Sequence, residues 1–154
     1  MTCIRPASPF DPATPILRVT DLAASLDYYT QKLGFTIAWQ YPYFAQLNRG
    51  RATLFLSMGD QGHTGTWAWM GCADADDLYA EYRATGAKIR NPPTNYAWAL
   101  ELQVEDLDGN VLRIGSDSLP NRPHGEWIDM YGDHWINAPD GTPTRVPPNP
   151  PQTS

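Results

Sequence analysis

Two tryptophans, Trp67 and Trp69, stand two residues apart in a short, mostly apolar run. Side chains at alternate positions of a β-strand project to the same face of a sheet, so both indole rings are predicted to share one face. A planar or heteroaromatic ligand could stack on them, which contributes about 0.5–1.5 kcal/mol per ring pair beyond burial. The same rings could instead fill the core or a subunit interface, and the spacing leaves both roles open.

Aromatic side chains are also abundant elsewhere in the sequence. Six tryptophans in 154 residues exceed ordinary usage, which disfavours a core role for all of them. Phe55 is expected to line the same surface as the tryptophan pair, and the residues expected at its rim are Trp39, Tyr41, Tyr43, Tyr96 and Trp98.

Polar side chains alternate in the segment Leu100–Val104. Glu101 and Gln103 are predicted to face one side of a strand, with Leu100, Leu102 and Val104 on the other. Glu101 could pair with a cationic ligand, to which the aromatic rings would add cation–π attraction.

Other kinds of catalytic site find little support. His124 and Glu126 place two metal donors on one side of an extended segment, but the C-x-x-C of a zinc deaminase is missing. No G-x-S-x-G is present for a hydrolase nucleophile. Together with His63 and His134, these residues are interpreted as surface polar groups.

The elements that must position these residues repeat in the sequence. The first half predicts a strand at Ile16–Val19, a helix capped by Thr20 or Asp21, and strands at Phe35–Gln40, Tyr43–Asn48 and Ala52–Met58. The second half predicts a strand at Thr66–Cys72, a helix opening at Asp74 or Ala75, and strands at Ala87–Arg90, Tyr96–Glu105 and Asn110–Gly115. The order β-α-β-β-β therefore occurs twice, which indicates a duplicated unit.

Composition restricts the partners and the compartment. The net charge of −6 disfavours nucleic acid as a partner, because an acidic chain repels phosphate backbones. No apolar stretch approaches the roughly 20 residues of a membrane span. Two cysteines set no disulfide framework, so we expect a cytoplasmic protein. The Pro-rich residues 1–13 are predicted to be an arm and residues 138–154 a disordered tail.

Three segments in order resemble the glyoxalase/bleomycin resistance protein/dioxygenase superfamily, the vicinal oxygen chelate fold. They are the opening Thr14–Leu22 with Leu33-Gly34-Phe35, the helix Asp76–Tyr82 before Gly86, and the closing Glu105–Asn110 with Leu112-Arg113-Ile114. The closing turn resembles the family's D-P-D-G, with Leu107 in place of proline.

The resemblance implies an α+β domain over residues 14–116, with modules at about 14–58 and 66–116. Each module is expected to form a curled half-barrel sheet with its helix outside. The bleomycin-resistance branch also implies a homodimer with clefts shared between subunits. The extension 117–137, with Trp127, Met130, Tyr131 and Trp135, is expected to help cover a partner subunit.

In metal-using members of this family, the ligand positions fall here on Thr14, Phe55, Trp67 and Arg113. Phe and Trp cannot ligate a metal, and Arg adds positive charge. We therefore expect neither a metal nor another cofactor, and no catalytic residue is assigned.

The resemblance also implies that Arg18 could bind a ligand carboxylate, although it could instead neutralise Glu101 across the cleft. Arg113 could contact a ligand as well. The sequence thus predicts non-catalytic binding of a small aromatic molecule, either neutral or cationic, such as a bleomycin-type antibiotic. The alternative is a glyoxalase- or dioxygenase-like enzyme with unconventional metal ligands.

Overall fold

Two successive modules each fold as one strand, one helix and three strands. The computed structural model describes residues 10–147. The first module contains β1 (Ile16–Arg18), α1 (Leu22–Gln31), β2 (Thr36–Tyr41), β3 (Phe44–Arg49) and β4 (Ala52–Ser57). The second contains β5 (Trp67–Gly71), α2 (Ala75–Thr85), β6 (Lys88–Asn95), β7 (Leu100–Glu105) and β8 (Val111–Ser116).

The two four-stranded sheets have equivalent topologies. Their strand orders are β1-β4-β3-β2 and β5-β8-β7-β6, and in each the first strand of the module runs parallel to the last. These curled sheets with two helices confirm the predicted α+β fold of the vicinal oxygen chelate type. Among the described residues, neither helix is long and apolar enough to cross a membrane.

The helix ends follow from local chemistry. The Asp21 carboxylate accepts a hydrogen bond from the Ala24 amide at 3.0 Å, and Asp74 accepts bonds from the amides of Asp76 and Asp77. Asp21 and Asp74 are therefore the N-caps, which resolves both alternatives left by the sequence. Gly86 ends α2 with a positive φ of 75°.

The core lies between the sheets and the helices. One hydrophobic cluster spans both modules and includes Leu17, Tyr29, Leu56, Tyr82 and Leu112. Alternate apolar residues of the strands are buried in this core, as expected when one face of each sheet is covered. They are Leu17, Leu100, Leu102, Val104, Leu112 and Ile114, and Val19 directly after β1 is buried as well.

The β7–β8 turn joins the two modules. Asp106 is 2% exposed and accepts hydrogen bonds from the Tyr29 hydroxyl at 3.0 Å and from the Asn110 side chain at 2.8 Å. Asn110 also donates to the backbone carbonyl of Arg18 in the first module. Burial raises the pKa of Tyr29 well above its ordinary value, and the Asp106 charge raises it further, so the hydroxyl remains a proton donor.

Two strand predictions differ from the structure. β7 begins at Leu100 rather than Tyr96, because residues 96–99 form a tight turn in which the Tyr96 amide donates to the Ala99 carbonyl. β6 extends to Asn95 through Pro92 and Pro93. It is an edge strand with irregular register, where a missing amide donor is tolerated.

The residues after β8 fold back onto their own chain. Three short strands, β9 (Trp127–Ile128), β10 (His134–Asn137) and β11 (Pro143–Arg145), form an antiparallel sheet. The disordered tail predicted from residue 138 is therefore wrong for residues 138–147. Asn137, Gly141 and an Asp133–Arg145 ion pair hold this hairpin. Residues 1–9 and 148–154, which contain most of the predicted arm and the rest of the tail, lie outside the described residues.

The expectation that the extension covers a partner subunit is also corrected in part. Trp127 packs edge-on against Trp98 of its own chain and stacks with Trp135, because the segment turns back toward the second sheet. Met130 and Tyr131 remain exposed at 88% and 81%.

Candidate functional site

Trp69 lies along the second sheet rather than standing away from it. Its six-membered ring occupies the space above Gly71 and Gly115, where a Cβ would lie 3.8 and 3.5 Å from the ring. The indole N–H donates to Glu101 Oε1 at 3.0 Å, which fixes the ring, and the side chain stays 60% exposed. The ring therefore packs over these two glycines and presents a flat surface with one open face.

Glu101 is held by two partners inside the protein. Only 3% exposed, it accepts a hydrogen bond from Arg113 Nε at 2.7 Å, and Arg113 Nη2 forms an ion pair with the same oxygen at 2.6 Å, in addition to the Trp69 bond. This corrects two expectations. The carboxylate is not free for a cationic ligand, and its neutralising partner is Arg113 rather than Arg18.

Arg18 points away from this ion pair. Its Nε donates to the backbone carbonyl of Gln61 at 3.3 Å, in the loop after β4. The structure therefore does not bring Arg18 to Glu101.

Trp67 lies on the same face as Trp69, but its ring makes a cation–π contact with an arginine. The Arg90 guanidinium lies 5.1 Å from the ring centroid and pairs with Glu105 at 2.9 Å. Hydrogen bonds from Lys88 and then Arg90 hold the pKa of Glu105 below its ordinary value. Like Glu101, Glu105 is therefore neutralised by the protein's own side chains.

A cavity of about 580 Å³ opens on this face, within the range of small-molecule sites. The sheet supplies its floor, including Trp67, Gln103 and Arg113, and the C-terminal segment supplies another wall. The lining residues are Trp67, Arg90, Asn91, Tyr96, Trp98, Glu101, Gln103, Arg113, Glu126, Trp127 and Ile128. Trp69 is not one of these lining residues, but its indole N–H is bonded to one of them, Glu101.

A row of aromatic rings forms one side of the cavity. Tyr96 and Trp98 stack with centroids 4.8 Å apart and planes 2° apart, and Trp127 meets Trp98 edge-on at 6.0 Å. The Trp127 N–H donates to Asn137 Oδ1 at 2.8 Å, so the orientation of this ring is set from outside the cavity.

Phe55 and Trp39 lie on the other sheet. They join Phe44 and Tyr41 in a cluster with centroid separations of 5.3–5.9 Å. The Trp39 N–H donates to Gln46 Oε1 at 2.9 Å. Within residues 10–147, no ring pair joins this first-sheet cluster to the tryptophans of the second sheet, so the predicted site residues fall into two groups.

The positions equivalent to family metal ligands have the same register in both modules. Phe55 pairs with Ile16, two residues after Thr14, and Arg113 pairs with Trp69, two residues after Trp67. Among the described residues, no three His, Cys, Asp or Glu side chains are grouped to hold a metal ion. His124 Nδ1 instead contacts the Asn137 carbonyl, and His134 contacts Glu126 at 3.2 Å.

Several residues of these two surfaces were missed from the sequence. Alternation with Gln46 could have identified Phe44. The contribution of Arg90, Asn91, Trp127 and Ile128 depends on the long irregular β6 and on the returning extension, for which the sequence carries no clear periodic signal.

Solved structures of similar fold include several antibiotic-binding proteins. A bleomycin-binding protein from Streptomyces verticillus, complexed with copper(II)-bleomycin, is 23% identical with a TM-score of 0.63, covering 73% of this chain and 100% of that one. A bleomycin resistance determinant encoded on the transposon Tn5 is 21% identical with a TM-score of 0.61, covering 71% and 100%. An antibiotic-binding protein from Streptomyces sp. CB03234 is 19% identical with a TM-score of 0.62, covering 73% and 100%. At these identities the likeness shows the fold alone.

Sequence comparison supplies the family. No curated protein matches the chain. The model of the Glyoxalase/Bleomycin resistance protein/Dioxygenase superfamily matches residues 10–114, more than half of the sequence and both modules. The predicted resemblance is confirmed, and the chain belongs to the glyoxalase/bleomycin resistance protein/dioxygenase superfamily.

Proposed function

We propose that this protein binds a small aromatic molecule of the antibiotic kind and does not turn it over. The observation that carries the proposal is the cavity on the second sheet, where Trp67, Trp98 and Trp127 provide ring surfaces beside polar groups. Structural neighbours described as binding bleomycin or another antibiotic support the ligand class.

The charge pattern favours a ligand recognised by its aromatic surface rather than by a positive charge. Glu101 is neutralised by Arg113, and Glu105 by Lys88 and Arg90. An additional cation would therefore compete with side chains that are already in place. Stacking and burial in the cavity do not require that exchange.

The alternative is an enzyme that uses unconventional metal ligands. Superfamily membership supports it, but Phe55 and Trp67 have no lone pair to offer a metal and Arg113 is bonded to Glu101. Elemental analysis of protein purified without chelator should find well under one equivalent of zinc, nickel, manganese or iron. Stoichiometric metal at these positions would favour the enzyme.

Bleomycin titration tests the binding proposal directly. Calorimetry and quenching of tryptophan fluorescence should report saturable binding without change to the ligand. Trp67→Ala should lower the affinity by about 1–3 kcal/mol, a value taken from stacking of bases on aromatic residues. Trp69→Ala, which removes the ring bonded to Glu101, should act in the same direction.

Melting temperatures of the same variants separate binding from folding. A folded Trp67→Ala protein with unchanged affinity would show that this face is not the binding surface. A variant that fails to fold would show that this half-exposed ring is needed for stability rather than for binding.

We also propose that the protein is a homodimer. The strand β2 lies at the edge of the first sheet, and all six of its residues are exposed. A second copy could cover this edge and its aromatic side chains.

A further inference from the structure

The extension begins after β8, and in the structure it continues beyond residue 137 through β11 to residue 147. It lies beyond the family match, which ends at residue 114. It nevertheless makes a large part of the cavity wall, through Glu126, Trp127 and Ile128.

Asn95 attaches the extension to the domain. The side chain, 2% exposed, donates to the carbonyls of Leu119 at 2.9 Å and Arg122 at 2.8 Å. Its Oδ1 accepts from the Leu119 amide at 2.9 Å and the Ser118 hydroxyl at 3.2 Å. A single buried carboxamide thus uses both its donor and acceptor groups on the extension.

Gly125 makes a second attachment that depends on its missing side chain. Its amide donates to the Asn95 carbonyl at 2.7 Å, and a Cβ built there would overlap Thr94 Cγ2. Thr94 cannot turn its methyl away freely, because its hydroxyl donates to the Pro92 carbonyl at 3.1 Å and accepts from Asn91 at 3.2 Å.

The outer side of the extension fixes the ring that faces the cavity. Asn137 accepts the Trp127 N–H and donates to the Gly141 carbonyl at 2.8 Å. Trp135 stacks on Trp127 with centroids 5.8 Å apart and planes 16° apart. Ring position is therefore set before any ligand arrives, which reduces the entropy lost on binding.

We propose that the extension is a docked cover of the second-sheet cavity and that Trp127 is a ligand-contacting residue supplied by it. This inference rests on the proposed function. The ligand is a planar aromatic group with hydrogen-bonding atoms along one edge. Trp127 and Trp98 meet its ring, and the carboxamide of Gln103 on the cavity floor offers one donor and one acceptor group to that edge.

Four variants of the full chain test the cover. Gly125→Ala should undock it, because the new methyl overlaps Thr94. Thr94→Ser removes the overlapping methyl but keeps the hydroxyl, so Gly125→Ala/Thr94→Ser should dock again, and Thr94→Ser alone is the matched control. Trp127→Ala keeps the Asn95 and Gly125 attachments and removes the ring together with its stack on Trp135 and its bond to Asn137.

Docking is measured without ligand, by hydrogen exchange of the Trp127 indole N–H followed by NMR. Exchange should accelerate at least tenfold in Gly125→Ala and return to the wild-type rate in the double variant. Binding is measured by titration with bleomycin and with acridine, a small planar probe. For any probe that binds, Kd should rise about tenfold in Trp127→Ala and in Gly125→Ala, and should recover in the double variant.

The outcomes separate the two proposals. Faster exchange with unchanged Kd for both probes would overturn the cover's role and leave the proposed function standing. Unchanged exchange in Gly125→Ala would overturn the docking itself. Binding of neither probe to the wild type or to any variant would overturn the proposed function and, with it, the assignment of Trp127 as a ligand contact.

Discussion

Glu101 is a buried carboxylate with both oxygens used inside the protein. Replacing it with Ala would leave the Arg113 guanidinium partly buried without its partner and would release the Trp69 N–H. We expect Glu101→Ala to lower the free energy of unfolding by about 2 kcal/mol, less than for a fully buried pair because Arg113 is partly exposed. Chemical denaturation measures this change.

A double-mutant cycle provides the control. Arg113→Ala alone strands the carboxylate, but Glu101→Ala/Arg113→Ala removes both charges, so the double variant should be more stable than the two single losses added together. Additive losses would show that the two side chains do not interact in solution.

The Cys72 thiol is expected to react slowly with alkylating reagents. Burial raises the pKa of its thiol, and the nearby Asp74 charge raises it further. Since the thiolate is the reactive form, alkylation by iodoacetamide should be slower than for an unfolded thiol, and its pH midpoint should lie above the ordinary value. Rates measured from pH 7 to 10 in a Cys3→Ser background test this, with the urea-unfolded protein as reference. A midpoint at or below the unfolded value would contradict it.

The sequence predicts which face of a strand a side chain occupies better than it predicts which residue that side chain bonds. Strand alternation placed Trp67 and Trp69 on one face, and both are exposed there. The partner of Glu101 was missed because Arg113 lies opposite Gln103 and diagonal to Glu101 in the hairpin. The long Arg113 side chain can reach either neighbour, so the burial of Glu101 and its bond to Trp69 determine that Arg113 pairs with Glu101.

The β7–β8 turn is one of the elements that connect the two modules, through buried hydrogen bonds. Asp106→Ala should remove four hydrogen bonds, from the Tyr29 hydroxyl, the Asn110 side chain and the amides of Asp108 and Asn110. We expect a loss of about 3 kcal/mol or more in the free energy of unfolding, because buried donors are left unpaired. Thermal or urea unfolding measures it.

Asp108→Ala is the matched control for this turn. Among residues 10–147, the Asp108 carboxylate accepts one hydrogen bond, from the exposed Thr20 amide, so its replacement should cost under about 1 kcal/mol. Equal losses for the two variants would mean that the buried hydrogen bonds of Asp106 stabilise the fold no more than the single exposed bond of Asp108 does.

The sequence predicts helices correctly where the apolar periodicity is strong. It fails where contacts between distant segments determine the structure. Both helices have apolar stripes and aspartate caps that are visible in the sequence. The extension has neither, and its three strands have two to four residues each. Its order depends on Asn95, Gly125 and the Trp127–Trp135 stack, which bring together residues distant in sequence.

The two sheets differ in what covers them. The extension lies against the second sheet, whereas β2 of the first sheet leaves Ile37, Trp39 and Tyr41 exposed at 43%, 38% and 68%. Tyr43, in the following turn, is exposed at 68%. Exposed apolar patches of this kind mark interaction surfaces. An uncovered edge strand also offers free backbone groups to another chain.

We therefore expect a homodimer in light scattering at micromolar concentration, with β2 at its interface. Tyr41→Glu would place a charge among the exposed rings and should shift the protein toward monomer. Gln40→Glu is the matched control, because strand alternation places Gln40 on the side opposite to Tyr41 and its ring partner Trp39, and should leave the dimer intact. A wild-type monomer, or a dimer equally unaffected by both changes, would remove β2 as the interface, and the first-sheet rings would then be free to meet a ligand.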